Sequence, residues 1–294
     1  MKLMNFQKNN EIKIGVVTER GILDLQEAGK QLKETVPSSM EELVGENDLN
    51  EIATIVKRAE QDTNKNLFIS EEEVIYAPVL TNPEKIVCVG LNYLDHIEES
   101  KIGETPKEPV LFSKFNNALA AHNEKKPVPR VGEQFDYEAE LVMIIGKEAK
   151  NVSKEEALSY VFGYSVGNDL SIRDLQFKSG QWLLGKTADK FAPVGPCIVT
   201  ADSVDPTHLA ISLKRNAKIG QSSNTKYMVF DCATIISYIS KHMTLKPGDL
   251  IFTGTPEGVV LGQPEEQREW LKAGVELEVT IESVGTLKNT FESY

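Results

Sequence analysis

The sequence predicts an α+β protein in which β-strands predominate, and three features support this assignment. Seven segments are rich in branched and aliphatic residues and are bounded by glycine, proline or polar residues, as strands are. Helical patterns interrupt these segments irregularly instead of alternating with them, which argues against a doubly wound parallel sheet. The chain also has no internal repeat. The predicted strands span residues 86–89, 135–146, 161–166, 197–200, 209–215, 249–252 and 275–281.

The other predicted elements lie at the start of the chain and between these strands. Residues 11–21 alternate and turn at a glycine, like a β-hairpin whose partner strand follows directly. Apolar residues at three- and four-residue steps predict helices over about 24–35 and 40–61. Two further helices are predicted at 154–160 and 232–242.

Length and composition indicate two parts of unequal size. The chain has 294 residues, of which 40% are hydrophobic and 26% charged, so it can bury a sizeable core without covalent cross-links. A proline-containing stretch near residues 78–83 separates the mixed N-terminal region from the strand-rich remainder. We therefore expect a small N-terminal α/β domain at 1–80 and a larger domain at 81–294.

The charge and the cysteines exclude several classes of function. The net charge of −12 argues against nucleic acid as a partner, because phosphates would be repelled. Cys88, Cys197 and Cys232 are scattered and have neither disulfide-framework nor zinc-site spacing. The N-terminal residues lack a secretory signal pattern, and no apolar run reaches the ~18 residues of a membrane span. These features predict a cytoplasmic protein with no membrane partner.

An unusual feature of the predicted strand 135–146 is that it begins with three acids at alternate positions. Asp136, Glu138 and Glu140 would share one face, about 6.5–7 Å apart along the strand. Like charges at this spacing repel unless something positive lies between them. Either the acids protect an exposed edge strand from unwanted pairing, or they bind a cation.

A further acid favours the cation. Asp169 closes the strand-like run at 161–166, although an aspartate there could also be a helix N-cap. Glu138, Glu140 and Asp169 would together form an all-oxygen set on neighbouring strands. Hard oxygen ligands suit Mg²⁺, Mn²⁺ or Ca²⁺ and do not suit zinc or copper. Three protein ligands would leave positions for water and substrate.

His96 and Glu99 are candidates for a base and its orienting carboxylate. Their spacing of three residues places them on one face of a helical turn, where a hydrogen bond would fix the imidazole tautomer. The same spacing also fits a surface ion pair. Residues 101–109 follow as a polar segment with glycine and two prolines, either a mobile lid or a plain loop.

The segment GQWLLGKT at 180–187 matches the phosphate-binding pattern GxxxxGK[ST]. Its context contradicts that function, because no buried strand precedes it and Pro193 follows too soon for a helix. A nucleotide-binding protein therefore remains a distant alternative. Lys186 is instead a candidate for a cation that faces the substrate.

The segment IFTGTPEGV at 251–259 ends a predicted strand with small residues. Gly254 and Thr255 present a backbone N–H and a hydroxyl that suit a substrate carboxylate. A tight turn built on Pro256 and Gly258 explains the same letters equally well.

Six motifs in order resemble the fumarylacetoacetate hydrolase family over roughly residues 80–294. These motifs are KIVCVGLNYLDHIEE, LFSK, FDYEAELVMIIGK, VFGYSVGNDLSIRDLQ, GQWLLGKTADKFAPVGP and GDLIFTGTPEGV. The resemblance implies a catalytic domain folded as a mixed β-roll, with a small N-terminal appendage, and a homodimer. One departure is Lys190, which stands where many members have threonine and which bears on substrate preference and local charge.

The resemblance also implies a role for each candidate residue. Mg²⁺ or Mn²⁺ would be held by Glu138, Glu140 and Asp169, whereas Asp136 would have a supporting role. His96 and Glu99 would form a base dyad on a lid, and Lys186 would be a catalytic cation. The substrate would be bound by Arg173, Gln176, Gly254 and Thr255.

The function expected from these roles is metal-dependent hydrolysis of a C–C bond in a small 1,3-diketo or 2-keto acid. In that reaction the metal stabilises an enolate while His96, oriented by Glu99, activates water. Related members with nearly the same site decarboxylate oxaloacetate or isomerise and hydrate keto acids. A decarboxylase or isomerase is therefore the alternative, since fold and metal site do not separate these chemistries.

Overall fold

A computed structural model of the protein describes residues 1–46, 48–62, 67–100 and 104–293. Within these residues the chain is mixed α+β with strands predominating, as predicted. The helices are α1 (Leu25–Leu32), α2 (Met40–Glu46), α3 (Leu49–Gln61), α4 (Leu94–Ser100), α5 (Lys154–Ala157), α6 (Arg173–Gln176), α7 (Leu183–Lys186) and α8 (Cys232–His242).

Most strands belong to one large sheet. Its members are β1 (Lys2–Lys8), β2 (Glu11–Thr18), β3 (Gly21–Asp24), β4 (Phe68–Ile69), β5 (Ile75–Ala77), β6 (Ile86–Gly90), β7 (Val110–Lys114), β8 (Leu119–Ala120), β11 (Ala139–Ile145), β12 (Val161–Asn168), β14 (Ala192–Thr200) and β17 (Leu250–Phe252). The main path runs β4-β3-β2-β1-β14-β12-β11-β17-β6-β7, with β5 beside β1 and β8 beside β14.

Two smaller sheets complete the fold. A five-stranded sheet has the order β16-β15-β18-β19-β9, and β10 pairs with β13. Their bounds are β9 (Lys125–Pro127), β10 (Phe135–Asp136), β13 (Ser171–Ile172), β15 (Ala210–Arg215), β16 (Lys218–Asn224), β18 (Glu276–Ile281) and β19 (Gly285–Glu292).

The central strand β11 explains the apolar half of the acidic segment. Every residue of β11 is buried, and the strand pairs with β12 on one side and β17 on the other. Leu141 and Met143 belong to one apolar cluster, whereas Val142 and Ile144 belong to the other, so β11 divides two cores. A strand covered on both faces needs such a continuous apolar run.

The N-terminal region joins the same sheet. The hairpin of β2 and β3 forms as predicted, and β1, which the sequence pattern did not indicate, connects it to β14 through the pair Leu3 and Ile198. The predicted helix over 40–61 forms as α2 and α3. The side chain of Asp48 accepts hydrogen bonds from the N–H groups of Asn50 and Glu51, and this N-cap begins α3 as a second, separate helix.

The described residues contain no helix that is both long and apolar enough to span a membrane. The division of the chain at residue 80 stays a prediction.

Candidate metal and active site

Three buried carboxylates meet where β10 and β12 end and β11 begins. Oxygen atoms of Glu138, Glu140 and Asp169 all lie within 4.8 Å of one another. The pairing of β11 with β12 produces this arrangement, since Glu140 lies opposite Gly167 and the Asp169 N–H donates to the Glu138 carbonyl at 2.9 Å. The structure thus brings together the three predicted metal ligands.

Arg173 is the positive charge between the acids of the strand. Its Nε donates to Asp136 Oδ2 at 2.9 Å, and its Nη2 donates to Glu138 Oε1 at 2.7 Å. Arg173 is 2% exposed, and its Nη1 donates to Gln176 Oε1 at 2.9 Å. Asp136 also accepts from the N–H groups of Val260 and Leu261. Asp136 therefore supports Glu138 through Arg173.

Two lysines neutralise the other side of the cluster. Lys186 Nζ bridges Glu138 Oε2 at 2.6 Å and Asp169 Oδ2 at 2.8 Å. Lys114 Nζ forms an ion pair with Asp169 Oδ1 at 2.6 Å. Lys114 also donates to the carbonyls of Leu170, Lys186 and Phe191. Sequence reasoning missed Lys114, although it ends the LFSK motif.

The cluster carries an excess of negative charge. Four carboxylates, including Asp136, face the three cations Arg173, Lys186 and Lys114. Burial would raise the pKa of Glu138, but the charges of Arg173 and Lys186 outweigh it and hold that pKa well below its usual range. Burial raises the pKa of Glu140 well above its ordinary value, and the neighbouring Asp169 and Glu138 raise it further.

This excess fits a divalent cation. Glu140 accepts a hydrogen bond from the Gly254 N–H at 2.7 Å, and its charge is otherwise poorly compensated. A cation among the three carboxylates would supply the missing positive charge, and the oxygen-only donor set suits Mg²⁺ or Mn²⁺.

The predicted base dyad lies over the same cleft. His96 and Glu99 are on α4, and His96 Nδ1 lies 2.9 Å from Glu99 Oε1. His96 is 6% exposed, so the pair is not a surface ion pair. The Gly258 N–H donates to both carboxylate oxygens of Glu99, at 3.1 and 2.9 Å. Of the predicted lid, residues 101–103 lie outside the described residues.

The cleft is small, partly open to solvent, and has one apolar wall. Its volume is about 20 Å³, enough for a water molecule or an ion. Apolar lining comes from Val89, Phe112 and Trp182, while His96, the carboxylates and Lys186 form the polar lining. Lys190 does not line this cleft, and its Nζ instead pairs with Glu124 at 3.0 Å.

The predicted substrate-binding groups divide into occupied and available donors. Arg173 is committed to Asp136, Glu138 and Gln176, and the Gly254 N–H is committed to Glu140. Gln176 accepts from Arg173 through its Oε1, so the N–H groups of its Nε2 take no part in that bond. Thr255 lines the cleft, and its Oγ1 accepts from Gln221 Nε2, so its own hydrogen can still be donated.

The GQWLLGKT segment does not have the geometry of a phosphate-binding loop. Its helix α7 contains only four residues, and the residues before it form bends instead of a buried strand. Lys186 is bound to two carboxylates. The letters therefore match the nucleotide-binding pattern by coincidence.

The chain is similar to known proteins over most of its length. The model of the fumarylacetoacetate (FAA) hydrolase C-terminal domain matches residues 85–292. A fumarylacetoacetate hydrolase domain-containing protein 2 homolog from Dictyostelium discoideum is 42% identical, covering 94% of this chain and 92% of that protein. A mitochondrial oxaloacetate tautomerase of Xenopus laevis is 38% identical over 98% and 89% of the two chains. The oxaloacetate tautomerase YisK of Bacillus subtilis is 34% identical over 98% and 99%.

Solved structures show the same fold. The fumarylacetoacetate hydrolase of Exiguobacterium antarcticum superposes with a TM-score of 0.83 at 32% identity, covering 100% of both chains. A maleylpyruvate hydrolase from Sphingobium sp. SYK-6, in complex with manganese(II) ion and pyruvate, has a TM-score of 0.79 at 29% identity, covering 100% of this chain and 99% of that one.

A strand-dominated fold with a buried oxygen-only carboxylate triad defines a class of enzymes that process keto acids. Within that class, the chain belongs to the fumarylacetoacetate hydrolase family.

Proposed function

We propose that the protein is a divalent-metal-dependent tautomerase that interconverts the enol and keto forms of a small 2-keto acid of the oxaloacetate type. The observation that carries the proposal is that His96, hydrogen-bonded to Glu99, lines the same cleft as the carboxylate triad. The proposal draws further support from the two oxaloacetate tautomerases, which align over nearly the whole chain.

The dyad suits proton transfer at carbon. Glu99 accepts from His96 Nδ1, so the second ring nitrogen, Nε2, is left without its proton and serves as the base. In the keto-to-enol direction His96 would take a proton from the carbon next to the keto group and deliver it to the enolate oxygen; in the reverse direction it would take the enol O–H proton and place it on that carbon. A tautomerisation needs no placed water molecule, because the proton moves only between a carbon and an oxygen atom of the substrate.

The other polar groups would hold the substrate. Mg²⁺ or Mn²⁺ held by Glu138, Glu140 and Asp169 would supply Lewis-acid stabilisation of an enolate. Lys186 adds positive charge beside the carboxylate oxygens of the triad. Thr255 and Gln176 offer neutral hydrogen-bond donors to a substrate carboxylate. Arg173 also lines the cleft; three of its five N–H groups bind Asp136, Glu138 and Gln176, and the second N–H of each terminal nitrogen could bind the substrate.

Hydrolysis of a C–C bond in an acylpyruvate is the second candidate. It is favoured by the likeness to the maleylpyruvate hydrolase whose complex contains manganese and pyruvate. In that reaction His96 would take a proton from water instead of from carbon. A decarboxylase would use the same site and release carbon dioxide from oxaloacetate.

A panel assay separates these reactions. The enol form of oxaloacetate, keto oxaloacetate, fumarylpyruvate and an acylpyruvate are each offered with Mg²⁺ and with Mn²⁺. We expect accelerated loss of the enol ultraviolet absorbance without pyruvate release. Rapid pyruvate release from an acylpyruvate would show that the protein is a hydrolase and not a tautomerase. Rapid pyruvate release from oxaloacetate would show that it is a decarboxylase.

Matched variants assign the activity to the dyad. His96→Gln should lower kcat by about 10²–10⁴-fold, the usual contribution of a general base. Glu98→Gln, an exposed change on the same helix, should leave kcat unchanged. An undiminished His96→Gln enzyme would remove the dyad from the reaction.

Oligomeric state and compartment stay predictions. We propose a homodimer, which sedimentation velocity would distinguish from a monomer of 32.7 kDa. We also propose a cytoplasmic location, which fractionation of cells that express the protein would test.

A further inference from the structure

One loop supplies backbone donors to three separate parts of the site. Residues 254–262 follow β17, and we refer to them as the anchor loop. The Gly254 N–H donates to Glu140, the Gly258 N–H donates to Glu99, and two successive N–H groups at 260 and 261 donate to Asp136. Of these acids, Glu140 is a predicted metal ligand, Glu99 is the hydrogen-bond partner of the base, and Asp136 binds Arg173.

Two glycines of the anchor loop allow it to hold Glu99. A Cβ at Gly262 would lie 2.4 Å from both Cδ and Oε2 of Glu99, closer than any real contact. Gly258 has φ +100°, and a Cβ there would lie 2.2 Å from the backbone oxygen of Gly220. The Glu99 carboxylate thus occupies a space that exists because position 262 lacks a side chain, and Gly258 lets the loop pass close to Gly220 with its N–H directed at Glu99.

The loop is fixed to the strand that carries the carboxylates. β17 pairs with β11 at Val142 and Phe252, and the Thr253 N–H and hydroxyl both bond the Leu141 carbonyl. The Gly254 donor is the next residue after this anchor. The distance between Glu140 and the Gly258 N–H that binds Glu99 is therefore set by one short stretch of hydrogen-bonded chain.

We propose that the anchor loop is the positioning element that seats Glu99, and that Gly262 and Gly258 are its positioning residues. By fixing Glu99 on the loop that also holds Glu140, it sets the orientation of His96 relative to the carboxylate triad. The inference rests on the proposed function only for its effect on turnover. A displacement of about 1 Å in such a constellation can cost about 100-fold in rate.

The substitution Gly262→Ala tests the seat with little risk to the fold. The backbone at this position is not in the left-handed region, and the new methyl group meets the flexible end of Glu99. We expect Glu99 to be displaced, and kcat to fall by about 10–100-fold while KM and the Mn²⁺ dissociation constant change little. Glu99→Gln is the reference, since it should produce the same pattern.

A spectroscopic measurement makes the test independent of turnover. The chain has four histidines, so ¹⁵N-labelled imidazole signals can be assigned by single substitutions. In the wild type the Nδ1–H of His96 should be held on Glu99, giving one tautomer. In Gly262→Ala, as in Glu99→Gln, the His96 nitrogen shifts should move towards the average of both tautomers. This measurement remains valid if the enzyme proves to be a hydrolase or if its substrate is different.

Two controls and a second variant complete the design. Gly45→Ala adds a methyl group where no atom lies within 4 Å and should change neither kcat nor the His96 signals. Gly258→Ala should reproduce the effects of Gly262→Ala and also destabilise the fold, whereas Gly274→Ala, at φ +87° in open space, controls for the backbone strain. A Gly262→Ala protein with wild-type kcat and a single His96 tautomer would overturn the proposal.

Discussion

Arg173 divides its donors among Asp136, Glu138 and Gln176, and a lysine at this position cannot do the same. The planar guanidinium reaches all three acceptors at 2.7–2.9 Å, whereas an ammonium group acts as a single point charge. We expect Arg173→Lys to lower the free energy of unfolding by about 3–5 kcal/mol, the range for breaking a buried ion pair. Urea unfolding of the metal-free protein measures this change.

An exposed ion pair provides the comparison for that prediction. Lys214 pairs with Glu278 at 3.2 Å with its side chain 46% exposed, so Lys214→Met should cost less than about 1 kcal/mol. If Arg173→Lys were no more damaging than Lys214→Met, Arg173 would not be the charge that holds Asp136 and Glu138 together.

Glu140 should have opposite effects on stability and on metal binding. Its pKa is raised because the buried carboxyl faces Asp169 and Glu138, so its ionised form is unfavourable without a cation. Glu140→Gln removes that charge and keeps an oxygen for the Gly254 N–H. We expect unchanged or higher stability in EDTA, but an Mn²⁺ affinity lowered more than about 100-fold.

Calorimetric titration with Mn²⁺ and urea unfolding in EDTA test the two halves of this prediction separately. Glu98→Gln removes an exposed carboxylate of the same length and should alter neither quantity. Wild-type Mn²⁺ affinity in Glu140→Gln would mean that the triad does not bind the ion.

The junction of β10 and β11 shows what a strand pattern can and cannot predict. Alternation correctly placed Asp136, Glu138 and Glu140 around one site, because side-chain direction depends only on the local backbone. The pattern also predicted one continuous strand over 135–146, and this was wrong. The ladder breaks at residues 137 and 138, where the Glu138 N–H turns to the side chain of Asn168 at 2.9 Å. An acceptor 30 positions away leaves no periodic signal.

Asn168 should therefore be needed for the geometry of this junction. Asn168→Ala leaves the buried Glu138 N–H without its acceptor, which should cost about 1–3 kcal/mol and weaken Mn²⁺ binding. Urea unfolding and Mn²⁺ titration measure the two effects. Asn50→Ala, on the exposed face of α3, should stay within about 0.5 kcal/mol of wild type.

At the scale of the whole molecule, the sequence predicted the class of fold, the family and the three carboxylates from motifs that are each continuous. It did not predict β1 as the link to β14, Lys114 as a counter-ion of Asp169, or the anchor loop as a set of donors. These features arise from contacts between distant segments, such as Gly258 with Glu99 at a separation of 159 residues. Residue types alone do not show which backbone N–H will meet which acid.

Lys126 makes the stability of the whole protein depend on pH. It is fully buried in β9, and none of the described residues accepts a hydrogen bond from its Nζ. Burial lowers its pKa to about 7, an effect that Glu124 only partly opposes. Since the folded pKa is below the unfolded value of ~10.4, the unfolded chain binds more protons between these limits. Stability should rise with pH across this window, by up to about 1.4 kcal/mol per unit.

Substitution of this lysine isolates its contribution from those of other titrating groups. Lys126→Met keeps the length of the buried chain and removes the charge, so it should stabilise the protein most near pH 6, where the ammonium must be buried in its charged form. The gain should shrink towards about pH 9, because the folded protein then already holds the neutral amine. Lys125→Met, next to it but with its side chain 72% exposed, should show neither effect in urea unfolding. Equal gains at both pH values would mean that Lys126 stays charged in the fold, and an acceptor for its ammonium group would then have to exist.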